Sequence, residues 1–189
     1  MLETTISSVK ADSPTTTSVC SRSPEALLSF TTSTATSLLP CSRQLIKHHR
    51  LPPLGQFIAL VFSRCNLPAS VCLVSLIYLH RLKLRLPRYA RGDYDTPYRL
   101  FLAAILTSSK FMSEGGTGLT SHMISQITDG LYTAKDVNLM ERSFLGLMRY
   151  ELWVDVDEVK SFLEENGNEL EMELREVVMH DGVDWWKEL

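Results

Sequence analysis

The chain has 189 residues, enough for one domain of ordinary size with tails. It is 44% hydrophobic and 22% charged, so a core can be built, and its net charge of -3 argues against a general nucleic-acid binder, which is usually basic. Cys20, Cys41, Cys65 and Cys72 form no C-x-x-C pair, no His cluster supplies zinc spacing, and the N-terminus lacks an apolar signal core. No metal and no cofactor is expected, and the expected setting is a reducing, intracellular one, nucleus or cytoplasm.

Residues 1–43 are dominated by Ser and Thr. Such a segment offers few large apolar side chains to offset chain entropy, so it is expected to be a disordered tail. Ser13 and Ser23 each precede a proline, the minimal signal for a proline-directed kinase, and one that a Ser-rich tail also produces by chance.

From Leu51 the pattern turns helical. "LPPLGQFIALVFSRC" starts on prolines and places Phe57, Leu60 and Val61 at helical spacing. "NLPASVCLVSLIYLHRLKLRLP" gives a second helix that closes before Pro87, with Cys65 and Cys72 in apolar, core-like surroundings. The greasy stretch across these two is interrupted by Arg64, Asn66 and Pro68, so neither half reaches the roughly 20 apolar residues that cross a bilayer. The basic run "RLKLRLPRYAR" follows, and Arg85, Arg88 and Arg91 flank Pro87. They are expected on an exposed helix end and loop, as candidate contacts to a substrate or partner, with little part in the fold.

"DTPYRLFLAAILTSSKF" is expected to be a helix capped by Thr96, with Pro97 in its first turn. Leu100 to Leu106 leave it no solvent face, so it should be central, with other helices around it. "EGGTG" is too short and wrongly placed for a phosphate cradle and reads as a turn. "LTSHMISQIT" is a short helix with Met123, Ile124 and Ile127 on one side. "YTAKDVNLMERSFLGLMRYEL" begins on a Thr133–Asp136 capping box, and "DVDEVKSFLEEN" repeats the device with Asp155 and Glu158. No stretch shows strict strand alternation. The expected fold is all-α: a five-helix unit over 51–154 around a central buried helix, then a C-terminal helix and tail over 155–189, whose Trp185 and Trp186 are expected to cover the core rather than to dock a partner.

Two charges interrupt apolar rows. Lys110 stands four residues after Leu106, and Glu141 stands four residues from both Val137 and Leu145. An ammonium in such a row needs a partner. Taken singly, Lys110 could answer helix-end carbonyls, and Glu141 could pair with Arg142 or Lys135. Together they suit one another across two helices.

"FLAAILTSSKFMSE" resembles the phrase of the cyclin family in which a buried helix ends in Ser-Lys-Phe, and "TDGLYTAKDVNLMERSFLGLMRYELWV" resembles that family's Tyr-Thr, Met-Glu and terminal aromatic-Leu pattern. The likeness covers about Leu54 to Val154 and is nearest to the fungal Pcl-type cyclins. It implies a cyclin box, a regulatory subunit without catalytic residues, and a heterodimer with a cyclin-dependent Ser/Thr kinase. It implies that Lys110 and Glu141 hydrogen-bond the kinase near its mobile helix, and that Phe111, Leu145, Tyr150 and Leu152 pack on it. Three features depart from the family: Met112-Ser113-Glu114 stands where an acidic pair is commoner after Ser-Lys-Phe, "PPLGQFIALV" does not reproduce the docking motif of cell-cycle cyclins, and no second box follows Val154. The competing reading is a cyclin-fold adaptor or transcription scaffold that acts without a kinase; it expects a zinc ribbon and tandem boxes, and neither is visible.

Overall fold

The computed structural model describes residues 15–42, 51–113 and 118–178. Ser13, Trp185 and Trp186 lie outside the described residues. In chain order the elements are strand β1 (Thr15–Ser21), helices α1 (Pro24–Ser37), α2 (Leu54–Cys65), α3 (Ala69–Arg85), α4 (Thr96–Met112), α5 (Ser121–Ile127), α6 (Ala134–Leu147) and α7 (Val156–Leu170), and strand β2 (Met172–Val178). The protein is all-α, as expected, apart from one antiparallel ribbon in which β1 pairs with β2 from Thr15 opposite Val178 to Ser21 opposite Met172.

The five expected helices are α2 to α6, and α4 is central. It packs on α1, α2, α3 and α6, and every residue from Phe101 to Ser109 is buried. Ala103 and Ala104 bring no bulk to these contacts, so neighbouring helices approach closely. Phe57 of α2 meets Tyr98 and Phe101 of α4 and Tyr132 edge-on, at centroid distances of 5.1, 6.4 and 6.4 Å. Helix α3 is buried from Val71 to Leu79 because it has core on both sides. One side joins the main cluster through Val74, Tyr78 and Leu82. The other packs Cys72, Leu73, Leu76 and Ile77 against Leu27, Phe162, Leu170 and Met172. Burial pushes the Cys65 and Cys72 thiols up to about 11 and about 12, which leaves both as unreactive thiols.

The N-terminal segment departs from its expected disorder. Residues 24–37 form α1, which packs on α2, α3, α4 and α7. Three of its threonines satisfy their own hydroxyls, from buried Thr31 through half-buried Thr32 to exposed Thr36: they donate to the carbonyls of Leu27, Leu28 and Thr32 at 2.7, 2.8 and 2.7 Å. Thr31 is therefore buried beside Leu27, Ala35 and Leu38. The folded unit begins well before Leu51.

Ser23 is the cap of α1, its Oγ accepting from the Ala26 N–H at 3.2 Å, and Pro24 takes the first turn. Ser23→Ala is expected to cost about 1 kcal/mol, which lowers Tm by about 2–4 °C in a chain of this size. A thermal scan checks it; an unchanged Tm would mean that packing alone holds the helix start.

The other caps fall close to expectation. Helix α4 is the exception: Thr96, the expected cap, is its first helical residue, and Asp95 before it makes no side-chain cap bond because its carboxylate is drawn to Arg99 at 2.6 Å. The Thr133–Asp136 box is complete: the Asp136 N–H donates to Thr133 Oγ1 at 3.2 Å, and the Thr133 hydroxyl and N–H donate to Asp136 at 2.6 and 3.0 Å. Those bonds hold the Asp136 carboxyl below its usual range. The box is thus intact above the ordinary carboxylate pKa of about 4 and is lost as pH falls through the lowered folded value. Asp155 accepts from the Glu158 N–H at 2.8 Å, but the Glu158 carboxylate turns to Arg81, so the second box is only half made.

Candidate functional site

The end of α4 surfaces at Lys110. One turn earlier the helix is fully enclosed, and here its side chain leaves the core beside the middle of α6. Lys110 Nζ lies 2.8 Å from both Oε1 and Oε2 of Glu141. The pair is unequally wet, with the lysine side chain 43% exposed and the glutamate 13%. The expected partnership forms, but at the rim of the core rather than inside it. The carboxylate sits about one turn from Val137 and Phe144, which are buried where α6 packs on α4, and the ammonium closes over it from the solvent side.

Around this pair the other expected contacts are spread. Phe111 is exposed and adjoins Lys110, and Leu145 is half-buried one turn beyond Glu141. Tyr150 lies in the turn after α6 with left-handed backbone (φ 57) and is 68% exposed. Leu152 is half-buried and packs on the main core, so it supports this surface more than it projects from it. Met112, absent from the expected set, is exposed and lines two hollows, the first of mixed polarity and the second mainly apolar. In one it faces Cys65, Leu67, Leu119 and Met123, and in the other Val74, Val154, Val156 and Val159.

The basic run divides. Arg88 and Arg91 are exposed in the loop between α3 and α4. They stand near the start of α4, whereas Lys110 stands about 21 Å from that start along the helix axis. Arg85 does not share their freedom. It donates to the Met148 carbonyl and pairs with the Glu151 carboxylate, so it is part of the fold, contrary to expectation. Arg81, one turn earlier, pairs with Glu158 and donates to the carbonyls of Glu151, at 3.0 Å, and Trp153, at 2.6 Å. Tyr78, nearly another turn back, donates from its hydroxyl to the Leu152 carbonyl at 2.7 Å. One stripe of α3 thus grips the linker from Met148 to Asp155. Nothing local in the sequence marks these contacts, because the partners are 63 to 77 residues apart.

Among the described residues no group of three or more His, Cys, Asp or Glu could hold a metal ion, and no helix is long and apolar enough to cross a membrane. The family model of the cyclin N-terminal domain matches residues 27–153. The chain belongs to the cyclin family. The match opens inside α1 and closes in the linker after α6, so it takes in the helix that composition assigned to a tail.

Among named relatives this cyclin is 38% identical over 110 residues to PHO85 cyclin-1 of Saccharomyces cerevisiae, covering 58% of this chain and 39% of that protein. It is 26% identical over 108 residues to PHO85 cyclin-2 of the same yeast, covering 57% and 34%, and 25% identical over 118 residues to PHO85 cyclin-9, covering 60% and 38%. The matched stretches thus span less than two-fifths of the length of each of these relatives. No solved structure matches the chain significantly.

Proposed function

We propose that this cyclin is the regulatory subunit of a cyclin-dependent Ser/Thr kinase of the PHO85 type, with which it forms a heterodimer. The observation that carries the reading is the Lys110–Glu141 pair. It stands at the surface end of the most deeply buried helix, so its polar groups are held in place by the rigid core and remain open to a partner. Phe111, Leu145 and Tyr150 supply apolar area around it, and Leu152 braces that area from beneath. This is the arrangement of a binding hot spot, polar groups of fixed geometry among apolar anchors.

The mechanism is a population shift. A kinase's mobile helix moves between inactive and active positions, and the active one assembles its Lys–Glu pair and metal site. The cyclin face contributes no reacting group. It binds the active position more tightly and so raises its share. Arg88 and Arg91, free of the core, extend the surface available to acidic or phosphorylated substrate segments and bias substrate choice. The complex works in the nucleus or cytoplasm.

The test is co-purification of the full chain with a PHO85-type kinase, followed by peptide phosphorylation with and without the cyclin. A stoichiometric complex with increased turnover is expected. A kinase that neither binds nor gains activity would overturn the reading and favour a cyclin-fold adaptor.

A further inference from the structure

Helix α6 carries a second exposed row that the Lys110–Glu141 face does not use. At about 100° per residue, Leu139, Ser143 and Leu147 stand roughly 160–240° round the helix from Glu141, and Leu145 only about 40°. Leu139 is 56% exposed and Leu147 47%, while Met140 and Phe144 between them are buried. The first turns of α4 meet this row. Thr96, Arg99 and Leu100 line a mainly apolar groove with Leu139, Phe144 and Leu147. Leu100 lies about 15 Å from Lys110 along the axis of α4. Groove and ion pair are therefore on opposite flanks of α6 where it packs on α4.

The groove holds about 210 Å³, less than the roughly 300–1,000 Å³ of a small-molecule site. It suits a few apolar side chains of a segment laid along α6. Its α4 end is polar, and the guanidinium there is already set. Arg99 Nε donates to Asp95 at 2.6 Å, and the guanidinium carbon lies 6.0 Å from the centre of the Tyr132 ring. Nη1 and Nη2 have no partner among the described residues, so they form an open fork for a carboxylate. The α3–α4 loop adds charge at the same end. Arg85 ties its start to the Met148 carbonyl, one residue past Leu147, and Thr96 at its finish lines the groove itself. Between them Arg88 and Arg91 are exposed. The balance at this end is cationic: Arg88, Arg91, Arg99 and Lys135 against Asp93, Asp95 and Asp136. Asp95 is turned onto Arg99 and Asp136 onto the Thr133 cap, which leaves Asp93 as the open carboxylate there.

We propose that this groove docks the kinase's protein substrates, through an acidic segment that carries apolar side chains and lies apart from the acceptor serine or threonine. This rests on the reading of the chain as a kinase-binding cyclin that influences substrate choice, and gives that influence a place. The occupant is substrate and not kinase because the groove opens on the flank of α6 opposite the Lys110–Glu141 pair. It is acidic because the exposed charge beside the groove is that of arginines. Apolar side chains of the segment seat on Leu100, Leu139 and Leu147, and a carboxylate takes the Arg99 fork. Arg88 and Arg91 act at longer range and raise the rate of encounter. Holding one part of a substrate raises the effective concentration of its acceptor at the kinase. The gain therefore belongs in KM and not in kcat.

The experiment uses the full chain with a PHO85-type kinase and a panel of peptides. Each peptide joins one Ser-Pro acceptor, through a flexible Gly-Ser linker, to a segment of leucines and aspartates at varied spacing. The acceptor alone and a panel with lysine in place of aspartate are the references. Members of the acidic panel are expected to show a KM about ten-fold below that of the acceptor alone, with kcat unchanged, and the lysine panel no such gain. Leu139→Glu, at an exposed position, and Arg99→Gln are each expected to erase the gain while Tm and kinase affinity stay as they are. An acidic panel without a gain overturns the inference, and so does a gain that survives both substitutions. Loss of kinase binding in Leu139→Glu assigns the groove to the kinase, and a dimer of this chain that Leu139→Glu dissociates assigns it to a second copy; either result overturns the inference. An unsubstituted chain that neither binds nor activates any such kinase overturns the kinase reading itself and this inference with it; normal activation without a docking gain overturns this inference alone.

Discussion

Lys110→Met combined with Glu141→Leu leaves the chain folded and removes its binding to a cyclin-dependent kinase. The two single substitutions should not be equal. Lys110→Met strands a carboxylate whose side chain is only 13% exposed and whose two oxygens both face that lysine. An orphaned group of this kind costs about 1–3 kcal/mol. Glu141→Leu instead releases an ammonium that is already 43% in water and adds apolar contact beside Val137 and Phe144, so its cost is under about 1 kcal/mol. The double variant removes both charges and melts close to the original. Binding behaves differently, since all three variants withdraw polar groups that the kinase would otherwise meet. Thermal scans beside a kinase pull-down separate the two effects. Full binding by a stable double variant would confine the pair to the fold.

Deleting residues 1–42 destroys the cooperative fold. A composition reading predicts the opposite, a dispensable tail. The deletion strips Leu27, Thr31, Ala35 and Leu38 from the core and breaks the edge-on contact of Phe30 with Phe162. Each large apolar side chain is worth about 1.5–3 kcal/mol when fully buried, and the uncovered faces of α2, α3, α4 and α7 add to that. Against a total stability of about 5–15 kcal/mol for a typical domain, the sum is large enough to unfold it. The smaller change Leu38→Ala should cost about 2–5 kcal/mol. Circular dichroism melts of both variants decide the matter. A truncated chain that melts cooperatively within a few degrees of the original, and still binds kinase, would show that α1 is an ornament.

The core helices were legible because their signals are local. Helix α4 announces its centrality by seven apolar residues in a row, and α6 by a Thr-x-x-Asp start that the structure completes. Lys110 and Glu141 could be paired across a gap of 31 residues because each breaks an otherwise apolar row, and the chain offers few other solutions. Helix α1 was hidden because Ser and Thr count against burial in any composition argument, whereas here three threonines satisfy their own hydroxyls within the helix. The ribbon was hidden because β1 and β2 are at opposite ends of the described chain and neither alternates clearly. The grip of α3 on the linker had no signal at all. An arginine looks the same in sequence whether it faces water or backbone carbonyls, and only the returning chain decides which.

The two-sided burial of α3 determines how the molecule comes apart. Its two faces belong to different clusters, and Phe62, Leu67 and Val154 pack at the margin of both. The loss of either cluster would leave one whole side of α3 in water, a cost that couples the two. The C-terminal helix is therefore not an appendage that can fray independently. It and the central bundle share α3 and so form one cooperative unit.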